Sequence, residues 1–211
     1  MILNLKSYIL IIAIQIFLFQ AISNAQLVYT GIEKGKVNQV YAEQKNINWI
    51  WAASVQFVLN NYNVKISQED IIKRSFHIYD PYDSLPNFQM NFSKIVNRLN
   101  NWIIKYKRKK YLITAKLVDE SPTPKFLYDE LKSMRPVILF SNDSLNALLP
   151  FICTAVGFIP GYYGPVPNQL MIRSTLPSCL NDENDEYIIW DIKSLPQRIS
   201  HYCIISVKQK K

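Results

Sequence analysis

The hydrophobic period of this 211-residue chain changes once along its length, and that change restricts the fold more than any other feature. Trp51, Val55, Val58, Leu59 and Tyr62 fall on one face of a helix with 3.6 residues per turn, and Asn60, Asn61 and Asn63 mark its end. Ser67 followed by Asp70 predicts a second helix start, with the Ser67 hydroxyl as cap ahead of Ile71 and Ile72. Phe92, Ile95, Val96, Leu99 and Trp102 predict a third helix. Residues 78–90, with two prolines and two aspartates, read as loop. From Tyr111 onward the pattern becomes short apolar runs separated by turn-formers: 111–118, 135–140, 150–158, 168–174, 186–192 and 201–207. One short helix interrupts them, started by Thr123-Pro124 and carrying Leu127, Leu131 and Met134 on one face. Helices followed by antiparallel strands predict an α+β fold of two lobes, a helical one over about 42–104 and a β one over about 111–208. A mostly extended opening is expected over 27–41.

The first 25 residues read as an export signal, outside the fold. Lys6 supplies a positive charge, residues 8–19 form an apolar run, and Ser23-Asn24-Ala25 offers small residues for cleavage after Ala25. The remainder, 26–211, is one domain's worth of chain, expected outside the cytoplasm (periplasmic or secreted) with no stable membrane span once the signal is cleaved. The formal charge of +8 becomes +7 on loss of Lys6. Much of that excess sits in Lys105, Lys107, Arg108, Lys109 and Lys110, interleaved with Tyr106. Such a run can meet an anionic partner. It also suits a solvated strand edge or loop that is kept from pairing with another chain, and no nucleic-acid partner is expected.

Three cysteines are present, Cys153, Cys179 and Cys203. An exported chain permits a disulfide, and Cys179 with Cys203 is the pairing expected, since Cys179 lies in a loop-like segment. No C-x-x-C pair and no cluster of histidines with cysteines or carboxylates points to a metal, and no cofactor is expected.

The segment from Gln44 to Ser54 (Q-K-N-I-N-W-I-W-A-A-S) resembles the start of the papain-like cysteine peptidases, in particular the secreted bacterial C39-like and AvrRpt2-like groups. There a glutamine stands six residues before a cysteine, and C-W-A-A-S/A heads the central helix. The match runs through I-S-Q-E-D-I-I to about residue 74. The resemblance implies a nucleophile at the N-terminus of a buried helix, where backbone N–H groups and the helix dipole favour a thiolate. It implies a glutamine donor to the oxyanion, a histidine base from a strand of the other lobe, and an Asn or Asp to orient it. Gln44 fits the donor, but Ile50 stands at the nucleophile's position. The base position falls among Leu149, Pro150 and Phe151, with Pro150 the match used here. The orienter falls at Ser174 or Thr175, with Asn168 a weaker match. None of Leu149, Pro150 and Phe151 can accept a proton, so the base is missing as well as the nucleophile.

Other residues offer little. Ser54 lies one turn beyond Ile50, about 5.4 Å along the helix, too far for the same oxyanion geometry. His77 and His201 read as surface or edge residues. The resemblance and its departures together imply a pseudopeptidase that binds a peptide, protein or glycan in or near the old cleft, as a decoy, an inhibitor-like partner or a specificity module. Two alternatives stay open: a hydrolase with a new site built on Cys153 and a histidine, and a surface-binding protein acting through residues 105–110.

Overall fold

Eight strands form a single antiparallel sheet in the computed structural model, which describes residues 15, 27–78, 84–86, 91–142, 148–161, 164–175 and 187–210. The export signal expected at 1–25 (residue 15 apart), Cys179 and most of the loop at 78–90 lie outside the described residues. Among the described residues, no helix is long and apolar enough to cross a membrane. In chain order the elements are β1 (Val28–Gly31), α1 (Lys34–Val40), α2 (Ile50–Asn61), α3 (Gln68–Phe76), α4 (Phe92–Leu99), β2 (Trp102–Tyr106) and β3 (Lys109–Val118). They continue with α5 (Pro124–Lys132), β4 (Val137–Asn142), β5 (Leu148–Gly161), β6 (Gly164–Arg173), β7 (Ile188–Asp191), a 3-10 turn, α6 (Leu195–Arg198) and β8 (Ile199–Lys210). The sheet order is β2-β3-β8-β4-β5-β6-β7. β1 joins β5 over residues 155–158, beyond the stretch paired with β4.

Strand β4 explains why R-P-V-I-L-F is apolar throughout. Ile138 and Phe140 face a core shared with α2, α3 and α4, while Val137 and Leu139 face a second core under α5 and α6. A strand buried on both faces cannot alternate polar with apolar residues. Helix α2 is likewise enclosed almost all round, with Trp51 through Val55 and Phe57 through Leu59 buried, so the single stripe read from sequence understates its burial. Its last turn is tied down by side chains: Asn60 Nδ2 donates to the Val40 carbonyl at 3.1 Å and Asn61 Nδ2 to that of Met134 at 2.9 Å.

The α+β expectation holds, and several boundaries move. The Ser67 hydroxyl accepts from the Asp70 N–H at 3.1 Å and Thr123 Oγ1 from the Phe126 N–H at 3.2 Å, as the two capping patterns predict. Met134 is not on the buried face of α5; it follows the helix with φ of 57° and is exposed. The expected third helix ends at Leu99, because Asn101 takes a left-handed conformation (φ 58°) and turns Trp102 into strand β2. The sheet therefore reaches outside 111–208, taking β1 and β2 from the first half of the chain. The extended opening is interrupted by α1, which buries Val37 and Val40 three residues apart. Gly31, at φ 143°, is required where β1 meets β5, since a Cβ there would stand 2.3 Å from the Thr154 carbonyl oxygen.

The expected Cys179–Cys203 bridge is not made. Cys203 is a free thiol, wholly buried in mid-strand β8 between β3 and β4, with its side chain in the α2–α4 core.

Candidate active site

Three segments meet at the start of α2. Trp49 is the N-cap residue, its side chain makes no capping hydrogen bond, and Ile50 is the first helical residue. Trp49 is fixed by its own indole, whose N–H donates to the Pro86 carbonyl at 3.0 Å. Ile50 is only 4% exposed, so an aliphatic side chain occupies the position assigned by resemblance to a nucleophile. The Ile50 carbonyl accepts from the Ser54 hydroxyl at 2.9 Å and from the Thr175 hydroxyl at 3.3 Å. Ser54 thus turns back onto its own helix, a common use of a mid-helix serine.

Gln44 arrives from the loop before the helix. Its N–H donates to the Thr175 carbonyl at 3.2 Å, closing a link between this loop and the segment leaving β6. The backbone on both sides of Gln44 is held by Gln68, a buried residue of α3. Gln68 Nε2 donates to the Glu43 carbonyl at 2.8 Å and to Gln56 Oε1 at 3.0 Å, and Gln68 Oε1 accepts from the Lys45 N–H at 3.0 Å. Gln44 Oε1 is itself buried and has no hydrogen-bond partner among the described residues.

Arg173, at the end of β6, is 5% exposed and stacks its guanidinium over Tyr41 at 4.5 Å and toward Tyr187 at 5.7 Å. A cation between two rings forms a rigid wall next to Ser174 and Thr175. Sequence reasoning missed Gln68, Arg173, Tyr41 and Tyr187. The one available signal was a lone arginine closing the apolar run L-M-I-R.

The structure thus brings Gln44, Ile50 and Thr175 together. Of the three orienter candidates, Thr175 donates its hydroxyl to the helix start, Ser174 is buried beside it, and Asn168 lies within β6. Pro150 lies on β5 opposite Phe140. β5 gains its β6 partner only from Ile152, so among the described residues one side of the strand is unpaired at Pro150, where a missing N–H is tolerated. His201 lies on β8, also opposite Phe140. A bulge leaves Ser200 unpaired, and its hydroxyl sits 2.6 Å from His201 Nδ1, with Asp119 Oδ1 3.7 Å from Nε2. His77 is the left-handed cap at the far end of α3.

The structure does not bring Cys153 and His201 together. Cys153 pairs with Val137 and faces the second core, whereas His201 pairs with Phe140, whose side chain faces the α2–α4 core. The two side chains therefore point to opposite faces of the sheet. Burial raises the Cys153 thiol far above its ordinary range, and pushes that of Cys203 up to about 12. Neither is a thiolate at neutral pH.

The sequence matches no family model and no curated protein. Among solved structures, the chain is similar to the peptidase domain of Streptococcus ComA, a bifunctional ABC transporter involved in a quorum-sensing pathway. The TM-score is 0.50 at 12% identity, covering 79% of this chain and 98% of that one. The peptidase domain of Streptococcus mutans ComA gives a TM-score of 0.35 at 12% identity, over 67% and 95%. At such identity the likeness is one of fold, and the fold is the papain-like α+β arrangement.

Proposed function

We propose that this papain-like chain is a non-catalytic relative of the cysteine peptidases, working outside the cytoplasm and binding an extended peptide or protein segment where Gln44, Ile50 and Thr175 meet. The observation that carries this reading is the burial of Ile50 in the first turn of α2. A peptidase of this fold needs a thiolate at that point, and a side chain without a nucleophilic atom ends covalent catalysis there. Losing one member of such a catalytic unit already removes most of the rate, and Pro150 and Thr175 supply neither a base nor its orienter. Retention of Gln44, part-exposed and with the backbone on both sides of it held by Gln68, supports binding: its side-chain amide can donate to the carbonyl of an extended peptide, the donor role that the resemblance implies. Residues 1–25 supply the export signal in this reading.

The test is covalent. With Cys179 changed to Ser, the folded protein is expected to form no adduct with a thiol-directed peptidase inhibitor, and to react at Cys153 and Cys203 only after denaturation. Stoichiometric labelling of either thiol in the folded state would sink the non-catalytic reading. Binding is tested separately on an array of extended peptides. Gln44→Leu is expected to weaken retention about tenfold, the size of one lost hydrogen bond of about 1.4 kcal/mol, with unchanged thermal unfolding. Peptides held equally well by both proteins would place the ligand elsewhere.

A further inference from the structure

The basic run at 105–110 is a β-hairpin, and its register makes it part of a larger surface. Lys107 and Arg108 form the two-residue turn, both left-handed at φ of 46° and 63°. Lys105 stands opposite Lys110, and Lys110 opposite Lys210, so three lysines share one row across β2, β3 and β8. The next row is Ile103, Leu112 and Lys208; Thr114 faces Ser206, and Lys116 faces Ile204. Ladder partners share a face, and the alternate residues Ile104, Ile113, Ala115 and Ile205 are buried in the core. The lysines are therefore all turned to the opposite, solvent face. Among the described residues, helices α5 and α6 pack on β1, β4, β5, β6 and β8, while Lys105, Lys110, Lys208 and Lys210 remain exposed.

Lys105, Lys110, Lys116, Lys208 and Lys210 make no ion pair among the described residues; the acids nearest in sequence to β3, Asp119 and Glu120, lie past its far end. Strands are about 4.8 Å apart, and like charges directly opposite each other destabilise a sheet. An arrangement that costs the isolated protein stability suits a surface neutralised by an anionic partner.

We propose that this face docks onto an anionic lipid bilayer. The face is an open pleated surface, matching a plane better than a strand of polymer. Its charges are lysines, compact point charges, while bidentate recognition of individual phosphates favours arginine. Ile103 is 51% exposed beside the lysine row, an aliphatic group able to enter the headgroup layer. Tyr106 and Tyr111 pack against the core, so the face has no aromatic platform on which nucleic-acid bases could stack. Thr114, Ser206 and Lys116 line a shallow depression beside the rows that offers two hydroxyls and an ammonium to a headgroup phosphate.

The test is co-sedimentation of the full chain with phosphatidylcholine vesicles, with and without phosphatidylglycerol. Neutral vesicles report any contribution of the apolar run at 8–19, so the quantity read is the increment due to the anionic lipid. Expected is an increment that falls as salt rises. Lys110→Gln with Lys210→Gln should lower it about 25-fold, at about fivefold per lysine near an anionic surface. Lys36→Gln with Lys193→Gln removes the same charge elsewhere and should leave it nearly intact. The proposal is overturned by the absence of an increment, by an equal loss in both double variants, or by tight binding to heparin or single-stranded DNA without any increment on vesicles.

Discussion

Raising the pH from about 7.5 to about 10.5 will lower the unfolding free energy by about 5 kcal/mol, through two buried thiols. Cys203 is pushed up to about 12 by burial, and Cys153 is pushed higher still by the same cause. In the unfolded chain both titrate near 8.5. Their folded values are raised, so the folded state holds protons that the unfolded state has lost. The contribution is fully present below about pH 8.5 and is lost as pH climbs toward the folded values, at about 1.4 kcal/mol per unit for each thiol. Tyr62 and Tyr202 are raised by burial too, and push the same way at higher pH. Denaturant titrations under reducing conditions measure this directly. Comparison with Cys153→Ala/Cys203→Ala separates the thiols from every other contribution to the alkaline slope. If the double variant keeps the full alkaline slope, the thiols are not the cause.

Phe140→Ala is expected to cost about 3–5 kcal/mol, a large share of a stability that for most domains is about 5–15 kcal/mol. Phe140 is 1% exposed in β4 and packs against Phe92 of α4, ring centroids 4.0 Å apart and planes tilted by 55°. It fastens helix α4 to the middle of the sheet, opposite both Pro150 and His201. Removing the ring leaves a cavity that backbone paired on both sides cannot close. Phe140→Leu should cost appreciably less. A double-mutant cycle with Phe92→Ala should return about 0.5–1.5 kcal/mol of coupling for the aromatic pair. A cost below 1 kcal/mol for Phe140→Ala would mean that the core there is loose.

The parts of the fold that were legible in sequence are those set by local rules. Helix α2, the Ser67 and Thr123 caps and the doubly buried β4 follow from periodicity and from hydroxyls placed to accept first-turn N–H groups. The β2–β3 hairpin was missed because Lys107 and Arg108 take left-handed conformations that sequence patterns associate with Gly and Asn. Trp102, at a helical spacing from Leu99, strengthened the wrong reading. At the site, Gln44 and Ile50 were readable from their offset to the helix. The Gln68 clamp and the Arg173 stack were not, because they join residues far apart in the chain with no spacing rule between them. The partner of the helix start shifted from Ser174 to Thr175, a one-residue ambiguity that only the third dimension resolves.

The place of β8 in the sheet sets an order of assembly. It follows every other strand in the chain yet lies between β3 and β4, and β3 has no other route into the rest of the sheet. The β2–β3 hairpin can close on its own through neighbouring residues. Its attachment must wait for residues 199–210, since Lys110 pairs with Lys210 across most of the second half of the chain. Loops of that length close slowly. Until they do, the inner edges of β3 and β4 are exposed and unpaired. A chain emerging N-terminus first would therefore stay incompletely folded until residues 199–210 had followed.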